Sequence, residues 1–129
     1  NKAGHIAPKI AATALAFDSD FNTAYNFDDE YSDPVIADAV YAASLSPSFL
    51  NHQNYRFVIN GTHIYLFNQL DNVVPDDDNL LGLGAAMLNF YIILASKYSG
   101  IGNWRFDTSD IKADFKNPSD YTLVAALDI

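Results

Sequence analysis

The chain has 129 residues, of which half are apolar and 14% aromatic, so it is long and apolar enough to build one folded domain. Its formal net charge is −9, and its seven basic residues form no cluster, which argues against nucleic-acid partners and anionic membrane surfaces. It contains no cysteine, which excludes disulfides, thiolate metal sites and a cysteine nucleophile.

Residues 1–30 have weak helical or strand character and carry several aromatic side chains. Pro8 favours an extended backbone before it, and a short helix is predicted at 11–17. We assign residues 1–30 to an extended aromatic arm and residues 31–129 to the main domain. Two hypotheses suit the arm, since its rings can pin it to the body of the domain or let it wrap a partner subunit.

The first clear helix begins at Asp33-Pro34. Aspartate is a favoured N-cap residue, and proline suits the first helical position. Apolar residues at helical spacing follow and form one apolar face. We expect this helix to end before Pro47, because the residue before a proline avoids the α-helical region.

A β-hairpin is predicted next. Tyr55–Ile59 and His63–Phe67 have the composition of strands, and Asn60-Gly61 between them is a strong hairpin pattern in which both turn residues need positive φ. Asn60-Gly61-Thr62 is also a formal glycosylation sequon. We regard the turn as the better explanation of this sequence.

A long second helix is predicted from about Leu80 to Ser99, with Gly100 as its C-cap. Three aspartates precede it, where the helix dipole favours negative charge. Its apolar residues cover nearly the whole circumference, which predicts a buried central helix or one that buries a face against a partner. The apolar stretch is too short to predict a membrane span.

Two further strands are predicted at 103–106 and 121–127. The short links between elements then favour an antiparallel α+β layer. The three histidines lack the spacing of metal ligands, so we predict no metal site. The sequence shows no signal-peptide pattern, and we expect a cytoplasmic location.

The segment from Ser46 to Phe57 resembles the nitroreductase superfamily. Members often carry a helix, then A-P-S-x-x-N-x-Q-P-W-x-F, then a strand. Pro47, Ser48, Asn51, Gln53 and Phe57 match that pattern in place. The sequence departs from it at three positions, where Ser46 replaces Ala, Asn54 replaces Pro and Tyr55 replaces Trp. Downstream, Leu81–Phe90 resembles the start of the superfamily's long central helix, and Gly100–Trp104 the glycine and aromatic residue that follow it. The arrangement is similar to the second half of putative nitroreductases whose single chain has two unequal halves.

This resemblance implies a nitroreductase-like antiparallel sheet with a long buried central helix, and FMN as a cofactor. It places Ser46, Pro47 and Ser48 against the flavin ring, with Asn51 and Gln53 contacting the ring edge or setting the loop. Alternatively, these polar residues brace a helix-to-strand turn and touch no flavin.

The resemblance also implies an oxidoreductase that passes electrons from NAD(P)H to a nitro or quinone-type acceptor, without a catalytic side chain. The superfamily's basic phosphate motif does not occur in this sequence. We therefore expect a second protein chain, or an N-terminal half, to complete the site in an oligomer. The alternative is a structural or interaction subunit that kept the fold and lost the cofactor.

Overall fold

The computed structural model describes residues 11–28, 33–46, 53–70 and 76–129, with backbone alone for 76–80. These ranges form a mixed α+β fold, which confirms the predicted class. The strands are β1 (Ala16–Asp18), β2 (Tyr55–Asn60), β3 (His63–Gln69) and β4 (Tyr121–Asp128), and the helices are α1 (Pro34–Ser44) and α2 (Asp76–Lys97).

The sheet has the order β1-β2-β3-β4 and is mixed. Strands β2, β3 and β4 pair antiparallel, as predicted, with a register shift between Leu66 and Phe67. Strand β1 instead pairs parallel to β2. A parallel neighbour needs a crossover connection, and α1 lies in the connection between these two strands. The prediction of a purely antiparallel layer was therefore wrong at this edge.

Strand β1 belongs to the segment that we assigned to the arm. Its backbone is anchored to β2, since the Phe57 N–H donates to the Leu15 carbonyl at 2.8 Å. The ring of Phe21 packs on Phe67 and Tyr121, with centroid distances of 5.0 and 5.3 Å. Residues 11–28 therefore contribute a strand and aromatic contacts to the sheet. The predicted helix at 11–17 is only a 3-10 turn at Ala12–Ala14.

Helix α1 begins as the sequence predicts. The Asp33 carboxylate accepts a hydrogen bond from the Val35 backbone N–H at 2.8 Å, and Pro34 is the first helical residue. The other carboxylate oxygen accepts from the Tyr98 hydroxyl, just beyond α2. This hydrogen bond raises the pKa of the Tyr98 hydroxyl, because Asp33 stabilises its neutral form. The start of α1 is thus joined to the end of α2.

The hairpin between β2 and β3 is confirmed, but its turn lies one residue later than predicted. Asn60 pairs with His63 in the ladder, so the turn residues are Gly61 and Thr62. Of these two turn residues, only Gly61 has positive φ, at 61°. Glycine at the first turn position with positive φ is the pattern of a type II′ hairpin turn. Asn60 therefore does not need the conformation that we expected of it.

The main core lies between the two helices and one face of the sheet. Phe57 of β2 stacks on Phe90 of α2 with a centroid distance of 4.6 Å and an interplanar angle of 14°. Both side chains are fully buried. The opposite face of the sheet carries a smaller aromatic cluster around Val58, Phe67 and Phe115. The alternation of Phe57 and Val58 along β2 divides the strand between the two faces.

Helix α2 is longer than predicted at its start and ends at Lys97, before Gly100. Its first turn begins in the run of aspartates, where the helix dipole stabilises negative charge. Of the two hypotheses for this helix, the one that buries it on all sides within this chain was wrong, and the one that buries a face against a partner stays a prediction. Leu81, Leu88 and Ile92 are 72%, 57% and 52% exposed. No helix in the described ranges combines the length and apolarity needed to cross a membrane.

The strand predicted at 103–106 is reduced to one bridge, in which Arg105 and Ala126 exchange two backbone hydrogen bonds of 2.9 Å. The neighbouring Trp104 side chain donates from Nε1 to the Met87 carbonyl of α2 at 3.0 Å. Its ring lies 5.7 Å from that of Phe90. The segment thus pairs with β4 through Arg105 alone, and its tryptophan packs on the helix. The final strand, predicted at 121–127, is confirmed.

Candidate functional site

The candidate site is the connection from α1 to β2, and the structure describes its two ends. Ser46 closes the α1 end and Gln53 opens the β2 end, and both are only 1% exposed. Pro47, Ser48 and Asn51 lie outside the described residues. Two of the five predicted site residues can therefore be placed.

Gln53 ties β2 to the C-terminal end of α1. Its Nε2 donates to the Ser44 carbonyl at 3.2 Å and to the Tyr55 hydroxyl at 3.4 Å. The Tyr55 hydroxyl in turn donates to the Ala43 carbonyl at 2.9 Å. The last carbonyls of a helix have no partner within the helix, so side chains often satisfy them. Gln53 and Tyr55 have this role here.

The burial of Tyr55 affects its ionisation. Its hydroxyl pKa is raised, chiefly by loss of water around the charged form, while the hydrogen bond from Gln53 and the charge of Arg56 act in the opposite direction. A hydroxyl that donates to a buried carbonyl must keep its proton. Tyr55 is therefore a structural hydrogen-bond donor across neutral pH.

Ser46 is held by a residue that the sequence analysis did not select. Asn89 of α2 donates from its side-chain nitrogen to Ser46 Oγ at 2.8 Å. The hydroxyl of Ser46 itself has no acceptor among the described residues. A buried donor without a partner is uncommon and costs free energy. Among the described residues, the Ser46 hydroxyl is therefore a buried donor whose acceptor is not one of them.

Sequence reasoning missed Asn89 because it lies within an apolar helix, 43 residues further along the chain. Its polarity in that helix was the available clue. Only the packing of α1 against α2 shows which residue it contacts.

Arg56 is the charged group at the base of the connection. Its NH1 donates to the carbonyls of Gln53 and Tyr55 at 2.6 and 2.8 Å. Its Cζ lies 5.7 Å from the centre of the Tyr121 ring. Its Nε and NH2 have no hydrogen-bond acceptor within the described part of the chain.

The electrostatics of Arg56 follow from this position. Burial lowers its pKa, and nearby tyrosines raise it in part. No carboxylate of the described residues forms an ion pair with it, although the chain has 16 acidic residues. Its remaining N–H groups can donate to an oxyanion.

The other charged clusters have simpler roles. His63 Nδ1 and Asp128 Oδ1 form an exposed contact of 2.7 Å, and Arg105 pairs with Asp110 at 2.8 Å. No group of three or more His, Asp or Glu side chains in the described ranges is placed to hold a metal ion.

Comparison with known proteins found no matching family model, no matching curated protein and no matching solved structure.

Proposed function

We propose that this chain is a nitroreductase-like module of an FMN-dependent oxidoreductase, which accepts electrons from NAD(P)H and reduces a nitro or quinone-type acceptor. The observation that carries the proposal is the buried Ser46 hydroxyl, whose donor is free among the described residues and whose oxygen is held by Asn89. It lies at the start of the motif that resembles the flavin-binding loop.

The residues present match the needs of a flavin in part. A flavin ring has polar atoms along its edge, and a protein holds it with apolar contacts and a few directed hydrogen bonds. Ser46 would donate to that edge, while Gln53 would hold the loop in place from the α1 side. When bound, FMN would supply the hydride and electron chemistry, and the protein would contribute position and hydrogen bonds.

The phosphate of FMN needs cationic or backbone N–H donors. Arg56 is the candidate, since its Nε and NH2 have no acceptor among the described residues and it lies at the base of the same connection. A single arginine provides few hydrogen-bond donors for a phosphate. This supports the proposal that a second chain or an N-terminal half supplies further donors.

The first test is an absorption spectrum of the protein purified from its natural source, with any released flavin identified by mass. FMN titration of the Ser46→Ala variant would follow. Loss of one neutral hydrogen bond of about 1 kcal/mol weakens binding roughly fivefold. Ser44→Ala is the matched control, because the buried Ser44 hydroxyl donates to Tyr41 within its own helix at 2.6 Å.

The proposal requires Ser46→Ala to weaken FMN binding while Ser44→Ala leaves it unchanged. Equal FMN affinities for the two variants would show that Ser46 does not bind the flavin. A protein that carries no flavin and takes up none would overturn the oxidoreductase assignment.

A second candidate is a structural or interaction subunit without cofactor. Its supporting observation is the exposed apolar face of α2, formed by Leu81, Leu88 and Ile92. Their spacing places them on one side of the helix, and exposed apolar patches often mark interaction surfaces. A colourless protein in a stable complex that Leu88→Glu disrupts would favour this candidate.

A further inference from the structure

The tip of the β2–β3 hairpin carries an asparagine that the turn does not require. Asn60 is the only asparagine in the sequence that is directly followed by glycine. Since Asn60 pairs with His63 and only Gly61 has positive φ, the turn geometry depends on the glycine. The presence of a carboxamide beside this glycine has chemical consequences of its own.

The groups that would react with each other are unprotected. Asn60 is exposed, and its side-chain amide makes no hydrogen bond with the described residues. The Gly61 N–H has no backbone acceptor in the described part of the chain. Apart from Gly61 itself and its two chain neighbours, no heavy atom lies within 4 Å of the position that a Cβ on Gly61 would occupy. Neither a hydrogen bond nor a side chain of this region therefore hinders the approach of the Gly61 nitrogen to the Asn60 carboxamide.

We infer that Asn60 is a site of spontaneous deamidation through a cyclic imide with Gly61. The Gly61 backbone nitrogen loses its proton and forms a bond to Asn60 Cγ. The bond from Cγ to the amide nitrogen breaks, and ammonia leaves. Water then opens the ring at either carbonyl and produces aspartate or isoaspartate. One water is consumed and one ammonia is released, with no change of oxidation state.

The hairpin sets the rate of this reaction. Asn60 belongs to the β2–β3 ladder, and its backbone must leave the extended conformation before the ring can close. Opening of a hairpin tip requires only local loss of structure. The rate therefore reports how often this end of the hairpin opens, and it is slower in the folded chain than in the unfolded chain.

Both products alter the hairpin tip. Each adds a carboxylate opposite His63, which already contacts Asp128. Isoaspartate also adds a main-chain carbon between residues 60 and 61, so the pairing with His63 can no longer keep its register. Aged protein is then more acidic, and its hairpin is less stable.

The test is incubation of the folded protein at mildly alkaline pH, with peptide mapping by mass spectrometry over time. Alkaline conditions favour loss of the Gly61 amide proton. We expect the mass of the peptide that contains Asn60 to increase as its side-chain amide is converted to a carboxylic acid. Each modified chain releases one ammonia. Asn103 is the internal control, because it is also exposed but precedes Trp104.

Asn60→Gln is the second control, because the longer glutamine side chain would have to close a larger ring, which forms less readily. The more acidic, deamidated form of the protein should then not accumulate. Modification of Asn60 no faster than Asn103 in the unfolded as well as the folded protein would overturn the inference. A glycan on Asn60 of the natural protein would also overturn the inference. Asn60-Gly61-Thr62 is a glycosylation sequon, and an amide nitrogen that carries a glycan cannot leave as ammonia.

Discussion

The two ends of strand β2 are held in different ways. At its N-terminal end, Gln53, Tyr55 and Arg56 bond to backbone carbonyls, including those at the end of α1. At its C-terminal end, the chain reverses through Gly61 with φ of 61° and needs no side-chain contact. The first end depends on residues from another element, whereas the second depends on local backbone freedom. The candidate site lies at the first end, and the candidate modification lies at the second.

The largest effect is expected from Gln53→Leu, which tests the N-terminal end. The change leaves the buried Ser44 carbonyl and Tyr55 hydroxyl without this donor, so we expect a loss of about 2 kcal/mol in the free energy of unfolding. Chemical denaturation measures it. Gln69→Leu is the matched control, since its side chain bonds to Asp120 in a part-buried position and should lose about 0.5 kcal/mol. Equal losses in both variants would contradict this account.

Gly61→Ala tests the C-terminal end. An L-residue with positive φ is strained, so we expect a loss of roughly 1–2 kcal/mol even though no atom crowds the position. Gly84→Ala in α2 is the control with the opposite sign. It lies in open space within a helix, where alanine is favoured by about 1 kcal/mol. A neutral Gly61→Ala variant would show that the turn can adopt another form.

Tyr55→Phe tests the N-terminal end of β2 again, and its expected effect on stability is the smallest of the three. Removal of the hydroxyl deprives the Ala43 carbonyl of one donor, although Ser46 N–H still donates to it at 3.0 Å, so we expect a loss of about 1 kcal/mol. Tyr91→Phe should change the stability little.

The same variant has a pH dependence with a definite sign. Burial raises the pKa of Tyr55, so the folded state favours the protonated hydroxyl. Its contribution to stability is present below the pKa of an unfolded tyrosine, about 10, and decreases as the pH rises above that value. The difference in unfolding free energy between wild type and Tyr55→Phe should therefore shrink above about pH 10. A constant difference at all pH values would contradict a neutral, buried Tyr55.

Local patterns predicted the elements that depend on local chemistry. The start of α1 follows from Asp33 and Pro34, and the hairpin follows from a glycine between two strand-like segments. The position of the turn was wrong by one residue, because an Asn-Gly type I′ turn has glycine at its second central position, whereas a type II′ turn has it at the first. The strand predicted around Trp104 was wrong, because this segment forms one isolated bridge, between Arg105 and Ala126.

The candidate site was predictable only in part. The motif selected Ser46 and Gln53 from the sequence, but not the contacts that define their roles. Whether they hold a flavin remains our proposal. The contribution of Asn89 depends on the packing of two helices, which no local pattern specifies.

The sequence by itself thus determined the α+β class, the cap of α1, the hairpin and the final strand, because capping, glycine conformation and alternating side chains act over a few residues. The tertiary structure decided that β1 joins β2 in parallel, that α2 buries one face and exposes Leu81, Leu88 and Ile92, and that Asn89 meets Ser46. These features depend on which distant segments pack against each other and bury their apolar surfaces. That packing involves the whole chain and is not specified by any local pattern.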